Sequence, residues 1–304
     1  MIEQKNVAIK IGNLTFKNPI MPASGAFGIE MEKAIDFNQL GAIVPKSITK
    51  KPQPGNAKPR VCETNAGMIN SIGIQSKGLD YYVKHTIPSF AKYDAPIISS
   101  ISAESVDEFV EMSSILGNHS DVQAIELNIS CPNLKDDGKA FGMDPVITEK
   151  LVTEVKKVTD VPLIVKLTPN VTSIQEIAVA AERGGADALN VANTLLAMAI
   201  DIDTRKPLVG NVMGGLSGPA VKPIIVRMIY QVSQVTSIPI IGCGGVMNGR
   251  DAIEMMIAGA SAVQVGTASF IHPTALIDVL HGIYEYMDEH NIKDIHDIIG
   301  SIEI

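Results

Sequence analysis

At 304 residues, with 46% hydrophobic and 19% charged side chains, the chain has the composition of a soluble globular protein with one large core or two ordinary ones. A formal net charge of -8, with no basic stripe along any candidate helix, argues against a nucleic-acid surface and for a small-molecule substrate. Residues 1–15 lack the apolar core of a signal peptide, and no segment reaches the roughly 20 apolar residues that span a bilayer, so the sequence reads as cytoplasmic with no membrane partner.

Short apolar, β-branched runs recur at residues 19–23, 41–45, 96–101, 124–129, 163–167, 188–192, 240–242 and 262–266. Several open near a proline, as in Asn18-Pro19, Ala95-Pro96, Val161-Pro162 and Ile238-Pro239, where a missing N–H is tolerated at a strand's first residue. Others follow a helix-ending glycine, as in Gly41-Ala42, Gly185-Ala186 and Gly259-Ala260. Between the runs, helical periodicity marks 105–116, 145–158, 173–183, 219–235 and 250–258. Eight strand–helix units in about 250 residues predict an α/β chain folded as a (β/α)₈ TIM barrel, one domain over 1–304 with elaborated loops at the C-terminal rim. The competing open, doubly wound sheet lacks its Gly-x-Gly-x-x-Gly after the first run, and no composition shift marks a second domain. Two connections, 47–77 and 193–217, are longer than a barrel requires, and long loops on one rim usually build or cover a site. A third segment, 132–143, is rich in Lys, Asp and Gly and reads as mobile.

In a barrel the active site lies where strands end, so the residues just after each run carry the information. Here they are polar: Lys46-Ser47 after the second run, Asn128-Ile-Ser-Cys131-Pro-Asn133 after the fourth, Lys166 in the fifth and Asn193-Thr194 after the sixth. The last two runs end in Gly244-Gly245 and Gly266-Thr267, small residues that let backbone N–H groups approach an anion; either pair alone is also compatible with a tight turn. A phosphate held there, beside amides and two lysines, suggests a phosphorylated cofactor such as FMN. An inward lysine at a strand end needs an anionic or polar partner. Lys46 or Lys166 could stabilise negative charge on a reduced flavin, form a rim salt bridge, or act as a Schiff-base amine.

Cys131 directly follows the fourth run, placed to take a proton from a carbon acid in a site that excludes water, although a lone cysteine is more often a small buried hydrophobe. Cys62 and Cys243 read as structural, and an odd, widely spaced set of three suggests neither a disulfide framework nor a Cys-x-x-Cys metal or iron–sulfur site. No histidine falls at a strand end or pairs at metal-ligand spacing, so neither histidine catalysis nor a metal is expected. Asn70, Asn128, Asn133 and Asn193, on three rim loops, each donate and accept, which suits a planar ring of alternating carbonyl and N–H groups.

From Asn18-Pro-Ile-Met-Pro-Ala-Ser-Gly25 to Val265-Gly-Thr267 the chain resembles the class 1 dihydroorotate dehydrogenases in register. The resemblance is carried by Glu126-Leu-Asn-Ile-Ser-Cys-Pro-Asn133, Asn193-Thr-Leu-Leu, Ile200-Asp-Ile-Asp-Thr-Arg-Lys-Pro207 and Gly214-Gly-Leu-Ser-Gly-Pro219. It implies one FMN per chain, its phosphate on Gly244, Gly245, Gly266 and Thr267, with Ser24, Lys46, Ser47, Ser100, Asn128, Lys166, Ala192 and Gly218 contacting the rest. It implies dihydroorotate held by Lys46, Asn70, Ser71, Ile72, Gly73, Ile74, Asn128, Asn133, Asn193 and Thr194. Cys131 would remove the C5 proton while C6 delivers hydride to flavin N5, under a lid formed by 132–143.

The stretch Leu134-Lys-Asp-Asp-Gly-Lys-Ala-Phe-Gly142 is similar to class 1B, which implies electrons passed to NAD through a partner subunit carrying FAD and a 2Fe–2S cluster. A homodimer, and a heterotetramer with that partner, are further implications. The chain departs from the class at Ser100, usually asparagine near the flavin, at Ala192, usually a larger aliphatic, at Val212-Met213, often Arg-Thr, and at Ser76-Lys77, usually Asn-Pro. The alternatives are a fumarate-dependent class 1A enzyme, a dihydropyrimidine dehydrogenase-like flavoenzyme, a flavin-free Schiff-base lyase using Lys166, and a metabolite-binding barrel without chemistry.

Overall fold

The computed structural model describes residues 5–130 and 141–304. Seven parallel strands curl into one sheet in the order Ile20–Pro22, Ala262–Val265, Ile240–Cys243, Ala188–Val191, Leu163–Lys166, Ala124–Asn128 and Ile98–Ile101. The first strand in the chain thus pairs with the last, Val263 opposite Ile20 and Val265 opposite Pro22. Most of these strands are buried at every position, because one face looks into the barrel and the other is covered by helices.

Residues 41–48 close the remaining gap, between Ile20–Pro22 and Ile98–Ile101. Gly41 N donates to Ile20 O at 2.8 Å, Ile43 N to Pro96 O at 2.8 Å and Ile98 N to Ile43 O at 2.9 Å; further along, Ser47 N reaches Ser24 O and Ile48 N reaches Ser100 O. The run at 41–45 therefore serves as the eighth stave of a TIM-barrel-like fold without being a regular strand. Pro45 has no N–H to donate, and the ladder reduces to isolated bridges on either side of it, Ile43 to Ile97 and Ile48 to Ile101.

The helices form where the periodicity places them, and their starts are set by side-chain caps. Ser105 accepts from Glu108 N ahead of Val106–Gly117, Asp144 from Val146 N and Ile147 N ahead of Pro145–Lys156, Ser173 from Glu176 N ahead of Ile174–Arg183, and Asn248 from Asp251 N ahead of Gly249–Ile257. The segment expected to be helical over 219–235 opens with a 3₁₀ turn, Pro219–Val221, and becomes α-helical only over Lys222–Ser233. Further helical stretches, Leu79–Tyr81 running through a π turn into Ile87–Phe90, the short Ala268–Ile271 and the long Ala275–Glu289, add to the coat. Buried side chains form one cluster from Val7 to Ile298.

The two long connections fold onto each other. Val61–Thr64, Gly67–Asn70, Gly214–Ser217 and Leu195–Ala197 make a four-stranded antiparallel sheet with Asn70 opposite Gly215 and Met68 opposite Ser217. Of the segment 132–143, residues 132–140 lie outside the described residues, as do Cys131 and Asn133. Its last turn, Phe141–Met143, is packed down: Gly142 N donates to Ile129 O at 2.9 Å and the Phe141 ring meets Phe109 edge-on at 5.4 Å. Among the described residues no helix is long and apolar enough to cross a membrane.

Candidate active site

A cavity of about 320 Å³ opens at the C-terminal ends of the barrel strands and is roofed by the rim sheet. Ser24, Lys46, Ser47, Asn128, Lys166, Ala192, Asn193 and Thr194 reach it from the strand ends, and Gly244, Gly245, Gly266 and Thr267 from the last two loops. Asn70, Ile72, Gly73 and Ile74 reach it from the rim. Among the described residues, three expected there do not line it. Ser71 Oγ accepts instead from Asn56 Nδ2 at 3.1 Å, Ser100 lies beneath the floor, and Gly218 packs so tightly that a Cβ on it would stand 2.7 Å from Gly67 Cα.

The rim loop is held by its neighbour in sequence. Ser71 N donates to Arg60 O at 2.7 Å and Asn56 N to Ile72 O at 3.0 Å, while Gly73 and Ile74, at φ 69° and 45°, turn the chain over the cavity. Ile74 is a β-branched residue in the left-handed region, a strained conformation of the kind that clusters at binding sites.

Two side-chain arrangements give the cavity its polarity. Asn193 Nδ2 donates to Asn128 Oδ1 at 3.1 Å and to Ser130 Oγ at 3.0 Å, while Asn193 Oδ1 accepts from Thr194 N at 2.8 Å. The Asn128 oxygen is thereby occupied, which leaves its NH₂ as the group offered to a ligand. At the other side, Gly244 and Gly245 stand at φ 130° and 86°, and a Cβ on Gly245 would lie 2.6 Å from Lys222 Cβ. Only glycine leaves the backbone bare at such a turn.

The wall carries two lysines, Lys46 and Lys166, and no Asp or Glu among its described residues. Beneath it lies Glu126, fully buried, whose carboxylate accepts from Ser100 Oγ at 3.0 Å, Asn190 Nδ2 at 2.8 Å and Gln264 Nε2 at 2.7 Å. Burial pushes its pKa up, but the charge of Lys166 and these hydrogen bonds outweigh burial and hold it below the usual carboxylate value. Lys166 Nζ donates to Gln264 Oε1 at 2.9 Å and lies 3.6 Å from Cys243 Sγ. Burial alone would lower the Lys166 pKa; Cys243 and Glu126 beside it raise it above the ordinary lysine value. Burial pushes the Cys243 thiol up, so at neutral pH it is uncharged and Glu126 is the counter-ion of Lys166.

Cys243, read from the sequence as structural, is part of the cavity wall, and Cys62 is half-buried on Val61–Thr64. Sequence reasoning also missed the apolar wall made by Val61, Met68, Leu216, Val221 and Phe270, and the floor residues Glu126, Asn190 and Gln264. The available signal for the floor was a polar residue in the middle of each of three apolar runs.

The family model for dihydroorotate dehydrogenase matches residues 6–287, which include every stave of the barrel and every strand-end residue above. The chain belongs to the dihydroorotate dehydrogenase family. Among its relatives, a protein of Alkaliphilus oremlandii (strain OhILAs) is 50% identical over 301 residues, covering 98% of this chain and 99% of its own. One of Alkaliphilus metalliredigens (strain QYMF) is 50% identical over 299 residues with 98% and 99% coverage, and one of Thermoanaerobacter sp. (strain X514) is 49% identical over 301 residues with the same coverage. Each is named dihydroorotate dehydrogenase B (NAD(+)), catalytic subunit. For a member of this family, the cavity at the strand ends is the candidate active site.

Proposed function

We propose that this chain is the catalytic subunit of an NAD-linked dihydroorotate dehydrogenase, a one-domain barrel over 1–304 that oxidises (S)-dihydroorotate to orotate in pyrimidine synthesis with FMN in the strand-end cavity. One observation carries the reading: in a chain of net charge -8, the cavity wall holds Lys46 and Lys166 and no described carboxylate. Such a cavity offers ammonium groups to anions that the rest of the surface repels, and both ligands of the reaction, a phosphorylated cofactor and a carboxylated ring, are anions.

The residues present fit FMN. The bare turn at Gly244 and Gly245, with Gly266 and Thr267 beside it, suits the phosphate, and Lys166 presents a fixed positive charge to the ring. FMN bound there supplies a two-electron acceptor, at N5, for the hydride that leaves C6 of the substrate. Asn128, Asn70, Asn193 and Thr194 offer donors and acceptors to the pyrimidine edge, and Lys46 a charge to its carboxylate. Cys131, next in the chain after the wall residue Ser130, takes the C5 proton as a thiolate.

The names of the relatives support an NAD-linked catalytic subunit working with a partner, and the class 1B-like stretch after Cys131 supports a partner that carries FAD and a 2Fe–2S cluster. The working assembly is a homodimer joined by two such subunits in the cytoplasm. The experiment is anaerobic mixing of purified protein with dihydroorotate while its visible spectrum is recorded, for wild type and Cys131→Ser. Bleaching of a flavin band, slowed many-fold in the variant, is the expected result. A colourless protein, or a flavin left oxidised by dihydroorotate, would overturn the proposal, and rapid reoxidation by fumarate would move it to class 1A.

A further inference from the structure

Under the cavity floor a chain of buried hydrogen bonds, joined at Glu126 by Asn190, links two points of the wall. Ser47 Oγ lies 2.8 Å from Ser100 Oγ, Ser100 Oγ 3.0 Å from Glu126 Oε1, Gln264 Nε2 2.7 Å from Glu126 Oε2, and Lys166 Nζ 2.9 Å from Gln264 Oε1. Ser47 and Lys166 line the cavity; Glu126 between them has no exposure to solvent.

Counting protons along this chain gives each end a fixed polarity. An ionised carboxylate only accepts. Ser100 therefore commits its one proton to Glu126 and can only accept from Ser47, so Ser47 spends its proton on Ser100 and turns lone pairs to the cavity. On the other arm, Gln264 gives an N–H to Glu126, which turns its amide oxygen to Lys166, and a lysine ammonium has no lone pair to offer. A protonated Glu126 could donate to Ser100 and would release Ser47 from this order.

We propose that Glu126 is a positioning residue of the site: as a buried carboxylate it orients the floor so that Ser47 offers a ligand only an acceptor while Lys166 remains a charged donor. This rests on the FMN reading in one respect, that the ligand has an N–H along one edge and an atom that gains negative charge along another. The titratable groups facing Lys166 are Glu126 from Ala124–Asn128 and the Cys243 thiol from Ile240–Cys243. The strands Ala188–Val191, Ala262–Val265 and Ile98–Ile101 contribute only the neutral Asn190, Gln264 and Ser100, and Lys46 is the other charge on the wall. Without Glu126, the buried ammonium keeps only the Cys243 thiol beside it as a titratable group, and it sheds its proton at a lower pH.

Two readouts test this. In ligand-free protein with isotope-labelled lysine amines, a Lys166→Met variant identifies the Lys166 signal. That amine is expected to stay an ammonium through neutral and mildly alkaline pH in wild type and to titrate at clearly lower pH in Glu126→Gln. In FMN-loaded protein, sulfite adds to flavin N5 more tightly when a positive charge faces the ring. Sulfite affinity in Glu126→Gln is expected to fall at least about tenfold relative to wild type between about pH 7 and 9, tracking loss of that charge. Should Glu126→Gln not fold, Gln264→Leu keeps the carboxylate but cuts its link to Lys166, and a smaller drop is expected. A Lys166 titration or sulfite profile unchanged by the substitution, tighter sulfite binding in the variant, or a Lys166 already neutral at about pH 8 in wild type would overturn the proposal. A wild type that binds no FMN defeats the functional reading alone, because the lysine titration still decides this one.

Discussion

Asn193 Nδ2 donates to Asn128 Oδ1 at 3.1 Å across the ends of two barrel staves, and this bond orients both carboxamides at once. With Asn193 replaced by alanine, the Asn128 oxygen loses its shorter bond and keeps only the 3.4 Å one from Ser130 N, so the amide is less firmly oriented toward the cavity. The expected outcome for Asn193→Ala is a KM for dihydroorotate raised about tenfold, the effect of losing one to two good hydrogen bonds, with bound flavin unchanged. Steady-state kinetics together with flavin content per chain check it; loss of flavin with unaltered KM would place the pair in cofactor binding instead.

The turn at Gly245 admits no side chain. A residue there has φ 86°, and its Cβ would lie 2.6 Å from Lys222 Cβ, which is itself held by Asp251 at 2.6 Å and Glu254 at 2.7 Å. Gly245→Val should cost about 1–3 kcal/mol of stability and empty the purified protein of FMN. The absorbance ratio of flavin to protein and the thermal midpoint are the measurements. Full retention of FMN would show that the phosphate is held elsewhere.

Gly215 is the close-approach point of the rim sheet, where a Cβ would come 2.0 Å from Thr194 Oγ1. Because that sheet is built from loops and the barrel core lies below it, Gly215→Ala should displace Thr194 and the paired Asn70 without melting the barrel. Expected are a several-fold rise in KM and a loss of stability of no more than about 1–2 kcal/mol, read by kinetics and urea unfolding on the same samples. A large drop in stability with normal KM would contradict this division of labour.

Asp294 ties the two ends of the described chain together. Its carboxylate accepts from His296 N at 2.9 Å, from the His296 ring at 2.6 Å and from Asn6 Nδ2 at 2.9 Å, and these bonds, the backbone one first, lower its pKa from 3.8 to about 2. A depressed carboxylate stabilises the fold above its unfolded value of 3.8, and that contribution is lost as pH falls through about 2. The side chain is 42% exposed, so screening by solvent keeps the effect small and local. Hydrogen exchange should show protection around Asn6 and Ile295 fading across that acid window in wild type. In Asp294→Asn it should be weak at neutral pH and flat with acidification.

What could be read along the chain was whatever a strand or helix writes into its own neighbourhood. An apolar run followed at once by a polar residue marks a strand end, and this located Lys46, Asn128, Lys166, Asn193 and Thr194 on one cavity wall, together with the glycines at 244, 245 and 266. Ser105, Asp144, Ser173 and Asn248 mark helix starts by the same local logic. The segment at 41–48 kept its place as a stave but not its regularity, because Pro45 removes a donor that only the neighbouring strands reveal as needed.

The sequence by itself determined the barrel, the rim on which its chemistry sits and the family. Only the tertiary structure decided that Ser100 turns into the floor, that Gln264 couples Lys166 to Glu126, and that Asn70 faces Gly215 from 145 residues away. The physical reason is that strands buried on both faces carry no alternation to say which side chain points inward, and a pairing between distant loops is set by packing that no local pattern encodes.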